Sequence, residues 1–213
     1  KRPHFVRNAL PDCGAWLNRR ELFAWATHDD IESRLVMHQR GRWSVRHGSF
    51  RAAELKGLPA RGWTLLVQGV DQIHPGAVAL LQRFSFIPHA RLDDLMVSFA
   101  PPGSGVGPHV DSYDVFLLQG PGTRRWRISA QKDLALVDGA PLRLLKRFRA
   151  TREWRCAQGD LLYLPPRYAH DGVALEDCIT LSVGFRAPRR QELATHFLEY
   201  LQDNLQLDGI YQD

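Results

Sequence analysis

The stretch from Ile179 to Phe185 alternates without interruption. Ile179, Leu181, Val183 and Phe185 fall on one face of an extended chain, and Thr180, Ser182 and Gly184 fall on the other. Four large apolar side chains require a dry core on their side. A row of small, mostly polar residues suits the wall of a cavity. Such a strand belongs to a sheet that is packed on one face and hollow on the other. Shorter β-like runs broken by glycine precede it: RLVMHQRG, RWSVRHGSF and WTLLVQGV, then Leu92 to Phe99 and Asp160 to Leu164. Helical spacing lies around these runs. Residues 15–40 read as helical in two pieces, with Asn18 or Thr27 as caps and Leu17, Leu22, Phe23 and Trp25 as an apolar stripe. His74-Pro75-Gly76 opens a helix through Phe84, and Leu193, Phe197, Leu201 and Leu205 predict an amphipathic helix over 189–206. Many short strands flanked by helices predict a mainly β protein, a double-sheet barrel of the jelly-roll or cupin type.

The chain's 213 residues, 44% hydrophobic and 24% charged, suffice for one compact domain or one domain plus an appendage. No apolar run reaches the roughly 18–20 residues of a membrane span. The opening KRPHFVRNALPD lacks the apolar core of a signal peptide, and without an initiating Met the chain reads as trimmed from a longer protein. Cys13, Cys156 and Cys178 are odd in number and widely spaced. They read as free thiols in a reducing, cytoplasmic setting. The net charge of +5 is concentrated between Arg143 and Arg155. That segment is either a footprint for a polyanion or a solvated face. The solvated face is the reading adopted, so direct nucleic-acid binding is not expected.

Gly103 to Ile128 carries the chemistry. A Gly- and Pro-rich turn presents His109-Val110-Asp111, an apolar strand follows, and Gly120-Pro121-Gly122 turns the chain into Arg124-Arg125-Trp126-Arg127-Ile128. Residues i and i+2 of a strand point the same way, about 6.6 Å apart, so His109 and Asp111 can aim at one point. His170, just past Pro165-Pro166, supplies a third donor. Two His and one carboxylate leave open positions on a metal, as in non-haem Fe(II) oxygenases. The bland alternative is a hydrogen bond between His109 and Asp111. His38 and His47 have no partner at two-residue spacing and read as structural or pocket-lining. Arg124 shares a face with Trp126 and Ile128, and a buried guanidinium needs an anion. Either a dicarboxylate cosubstrate supplies it, with Thr180 and Ser182 adding hydroxyls, or Asp111, Asp114 or Asp160 does.

RLVMHQRGRWSVRHGSF, LLVQGVD, DDLMVSF, GVGPHVDSYDVFLLQGPGTRRWRI, GDLLYLPPRYAHDG and SVGFRAPRRQEL together resemble the bacterial ribosomal oxygenases, Jumonji-C-type Fe(II)- and 2-oxoglutarate-dependent protein hydroxylases. The resemblance spans nearly the whole chain. It implies a double-stranded β-helix, iron held by His109, Asp111 and His170, and Arg124 gripping the distal carboxylate of 2-oxoglutarate. Dioxygen is then the oxidant. The implied substrate is an arginine β-carbon of large-subunit ribosomal protein sixteen; a ribosomal-protein histidine is the alternative. A substrate guanidinium needs acceptors, which points to Asp93, Asp94 and Tyr113. Residues 1–187 then form the catalytic domain, and 188–213 begin the helical dimerisation region of a homodimer. A winged-helix domain, present in full-length relatives, lies outside the chain. The rival readings are a non-catalytic cupin-like binding module and a zinc hydrolase.

Overall fold

In a computed structural model of the chain, residues 1–186 and 188–209 are described. In chain order the elements are β1 (His4–Val6), α1 (Arg19–Trp25), β2 (Ser33–Gln39), β3 (Arg42–His47), α2 (Ala52–Lys56), β4 (Trp63–Val67) and α3 (Pro75–Gln82). There follow β5 (Leu92–Ala100), β6 (Asp114–Gln119), β7 (Arg124–Ser129), β8 (Arg152–Cys156), β9 (Leu161–Leu164), β10 (Ala169–Ala174), β11 (Cys178–Phe185) and α4 (Arg190–Asn204). Eight strands form the major sheet in the order β1-β9-β6-β11-β5-β4-β2-β3, and β10-β7-β8 form the minor sheet. All of these pairings are antiparallel.

Alternation along each strand assigns the faces. Leu181, Val183 and Phe185 of β11 pack outward with Leu65, Val97 and Leu118, and with Leu22, Leu55, Ala77 and Leu80 of the three helices α1, α2 and α3. The opposite face carries Val115, Leu117, Leu162 and Leu164, which meet Trp126, Ile128 and Cys156 of the minor sheet. Thr180 stands opposite Ser98 and Gln119, and Ser182 opposite Met96 and Leu117, so both lie on this inner face. The fold is mainly β, a cupin-type double-stranded β-helix with helices outside.

Two expectations change. Within 15–40 only α1 is helical: the second helical piece expected there does not form, and RLVMHQRG, read as β-like, is strand β2. Leu35 and Val36 are both fully buried, so this strand is covered on both faces and shows no two-residue period. Asn18 caps α1 in a reciprocal capping box with Glu21. Thr27 instead donates its hydroxyl back to the Ala24 carbonyl at the far end. His74 caps α3 by accepting from Gly76 N–H. The helix near the C-terminus is present as α4, with Leu193, Phe197 and Leu198 exposed by 57–62%. No described helix is long and apolar enough to cross a membrane. All three cysteines are free and buried, and the Arg and Lys side chains of 143–155 are exposed.

Candidate metal centre

His109 and His170 face each other across a short antiparallel bridge. Each backbone N–H donates to the other's carbonyl, at 3.0 and 2.9 Å. The pairing sets the two imidazoles 4.1 Å apart between ring centres. Nδ1 of His109 lies 2.8 Å from the Gly107 carbonyl, and Nδ1 of His170 lies 2.9 Å from the Tyr168 carbonyl. A carbonyl only accepts, so each Nδ1 carries the proton and each Nε2 keeps its lone pair for a ligand. Asp111 closes the group, its Oδ2 3.5 Å from His170 Nε2. One donor atom from each of the three residues lies within 4.8 Å of the others. Burial, then the neighbouring His109, pushes His170 down to about 4, so it is the neutral, metal-ligating form at physiological pH. The bland alternative, a hydrogen bond between His109 and Asp111, is absent among the described residues.

Arg124 lies in the minor sheet on the same inner face as His170, because β10 residues His170, Gly172 and Ala174 pair with Ile128, Trp126 and Arg124 of β7. It is 3% exposed. One Nη donates to the Gly172 carbonyl at 3.3 Å, and the guanidinium sits 5.7 Å from the Trp126 ring centre. Its Nε and other Nη have no hydrogen-bond partner among the described residues. The carboxylates suggested as structural partners are engaged elsewhere: Asp114 with Lys1 and Arg91, Asp160 with Arg7, and Asp111 facing His170. Nearby thiols supply no anion, since burial pushes Cys156 up to about 12 and raises Cys178. A buried, half-satisfied cation is costly unless an anion joins it. The residues present therefore fit both a metal and a carboxylate ligand.

The remaining named residues divide. Thr180 donates to Gln119 Oε1 at 3.3 Å, which occupies its proton. Ser182 is 8% exposed, with no hydrogen bond from its hydroxyl among the described residues. Tyr113 stands in the bend before β6, 36% exposed, its ring against the inner-face Gly184 and near Asp93. Burial, then the carboxylates of Asp111, Asp93 and Asp94, raises its phenol, so it stays protonated. Asp93 is paired with Arg186 at 2.6 Å, and Asp94 accepts from Gln68 Nε2 and Gly69 N–H. Both line a cavity of about 410 Å3 with Asp30 and Glu32. His38 stacks on Trp43, and His47 ends β3. Gln119 and Gly172 are not named from sequence, and Cys178 is named only as a free thiol, although Gly172 lies two residues from His170 and Cys178 two from Thr180. That spacing was the available signal.

A double-stranded β-helix carrying two histidines and one carboxylate on its inner wall defines a cupin-type metal site. The family model of the JmjC domain matches residues 79–193, and the chain belongs to that family. It is 40% identical over 212 residues to the ribosomal protein uL16 3-hydroxylase of Escherichia coli strain K12, covering 99% of this chain and 56% of the relative. A probable ribosomal oxygenase of Haemophilus influenzae is 37% identical over 198 residues, 91% of this chain and 48% of the relative. The solved structure of the Escherichia coli ribosomal oxygenase YcfD with cobalt and 2-oxoglutarate superposes with a TM-score of 0.82 at 39% identity, covering 100% of this chain and 56% of that one. The chain thus spans about half the length of the curated relatives it matches.

Proposed function

We propose that the chain is the catalytic part of an Fe(II)- and 2-oxoglutarate-dependent dioxygenase that hydroxylates a ribosomal-protein side chain, an arginine β-carbon of protein uL16. The observation that carries this reading is Arg124: a buried guanidinium with two nitrogens unpartnered among the described residues, on the same inner face as His170 of the His109, Asp111 and His170 cluster. A zinc hydrolase has no use for such a group, and a vestigial binding module has no reason to retain it. The relatives, a uL16 3-hydroxylase and ribosomal oxygenases, point the same way.

In this reading His109, Asp111 and His170 hold the iron, and Arg124 takes the distal carboxylate of 2-oxoglutarate. Along β7 Arg124 is four residues from the position opposite His170, about 13 Å of strand. An extended five-carbon diacid and the arginine side chain together bridge that interval. Iron with 2-oxoglutarate and dioxygen supplies oxidation of an unactivated C–H bond, with succinate and carbon dioxide as coproducts. Ser182 offers a free hydroxyl to the cosubstrate, and Gln119 fixes the rotamer of Thr180. Trp126, Leu117 and Leu164 keep the inner wall dry. Tyr113 touches the incoming side chain, with Asp93 and Asp94 shaping an acidic flank around it.

We assign residues 1–187 to the catalytic domain and 188–213 to the start of a helical dimerisation region of a cytoplasmic homodimer. Of these, Ala187 and residues 210–213 lie outside the described residues. The exposed Leu193, Phe197 and Leu198 support that assignment. The test is succinate production with Fe(II), ascorbate and 2-oxoglutarate, followed by mass spectrometry of uL16. Wild-type protein should form succinate and add the mass of one oxygen atom to an arginine; His170→Ala, with metal supplied, should do neither. Wild-type turnover by His170→Ala would refute the metal assignment. Oxygen found only on a histidine would replace the arginine reading.

A further inference from the structure

Between the β2–β3 hairpin and the glycine-rich turn at 103–108 lies a cleft of about 580 Å3. His38 and Trp43 face each other in the hairpin register, and their rings stack 4.1 Å apart at 12°. Arg40, in the hairpin turn, and Arg61 line the cleft and are exposed. Neither has a carboxylate partner among the described residues. Asp171, a carboxylate in the lining, is already held by Arg127. The floor is the backbone of Gly103, Gly105 and Gly107. A Cβ on Gly107 would stand 2.9 Å from the Trp43 ring, so a side chain there would crowd the stacked pair.

We propose that this cleft binds single-stranded RNA, with a base stacking on the His38–Trp43 pair and phosphates meeting Arg40 and Arg61. Planar rings beside unpaired guanidinium groups suit a base and its backbone, whatever the base. The choice of partner rests on the ribosomal-protein reading above. A basic protein substrate would set like charge against both arginines, whereas RNA neutralises them. The floor of the cleft also carries the Gly107 carbonyl that orients His109, so the bound strand lies beside the metal centre. The expectation of no nucleic-acid contact concerns the basic side chains of segment 143–155, none of which lines this cleft.

The test is fluorescence anisotropy with a labelled oligouridylate about ten nucleotides long, at several salt concentrations. Neither metal nor 2-oxoglutarate is needed, so the outcome is independent of whether the oxygenase reading stands. The double variant Arg40→Ala/Arg61→Ala should weaken binding at least about tenfold and flatten the log–log salt slope by about 1.4, two phosphate contacts' worth. Trp43→Leu should weaken binding with the slope unchanged, and Trp43→Phe should restore it. Arg83→Ala, an exposed arginine at the end of α3, should bind as the wild type does. Absence of wild-type binding, an equal loss in Arg83→Ala, or displacement of the RNA by polyglutamate at matched charge would each overturn the proposal.

Discussion

At the scale of single residues, Arg124 is the most exposing case. Its guanidinium gains one backbone acceptor and no anion among the described residues. A charge-assisted contact to a carboxylate is worth about 1.5–3 kcal/mol. Arg124→Ala should therefore raise the KM for 2-oxoglutarate about ten- to over a hundredfold, with a smaller change in kcat. Loss of the thermal stabilisation given by 2-oxoglutarate checks the same contact without turnover. If Arg125→Ala produced the effect instead, the β7 face assignment would be wrong. Asp114 shows the opposite situation, a carboxylate fully partnered. Burial alone would raise it, but hydrogen bonds from Lys1 at 2.5 Å and Tyr163 at 2.6 Å, with the Lys1 and Arg91 charges, hold it below the usual carboxylate range. Its folded pKa is depressed, so its stabilisation is present above the unfolded value, near about 3.9, and is lost as pH falls through the folded one. Asp114→Asn should melt below wild type at neutral pH, and the gap should close as the pH drops below about 4. A gap that persists in acid would show that packing, not charge, is the cause.

At the scale of elements, the register of β10 against β7 decides what the centre can do. Gly172 lies between His170 and Ala174, against the Trp126 ring, and a Cβ there would sit 2.5 Å from that ring. Gly172→Ala should push Trp126 off the inner wall and cost about 1–3 kcal/mol by overpacking. Its Tm should fall, and its KM for 2-oxoglutarate should rise because Trp126 also packs over Arg124. An unchanged Tm and KM would mean that the ring moves freely. The two-residue period made the faces of β7 and β11 legible, since Arg124, Trp126 and Ile128, like Thr180 and Ser182, needed only alternation to be placed. β2 reads two ways, its RLVMHQRG run as β-like and residues 15–40 as helical. Leu35 and Val36 are buried on opposite faces, and a strand covered on both sides loses the pattern that identifies it.

For the whole molecule, α4 matters most. Leu193, Phe197, Leu198 and Leu205 are 53–62% exposed, a concentration of apolar surface unusual on a monomer. In the longer protein proposed above, Leu193→Asp with Phe197→Asp should convert a dimer to a monomer by light scattering, with the β-sheet circular dichroism unchanged. A variant that stays dimeric would remove α4 from the interface. The net charge of +5 distributes unevenly around the fold. Acidic side chains gather at the cavity bearing Asp93 and Asp94, and unpaired arginines at the cleft bearing Trp43.

The sequence by itself determined the strand-rich class, the inward face of β11, the neighbourhood of His109 and Asp111, and the alternation that aims Arg124 inward. Each is a local property, set by a repeat of two residues or by a turn a few residues long. Only the tertiary structure decided that His170 bridges to His109 across 61 positions of chain, from 109 to 170. It also decided that no carboxylate among the described residues pairs with Arg124, and that Asp93 and Asp94 are engaged by Arg186, Gln68 and Gly69. Pairing between distant segments is fixed by which surfaces exclude water together, a property of the whole packed chain that no local period encodes.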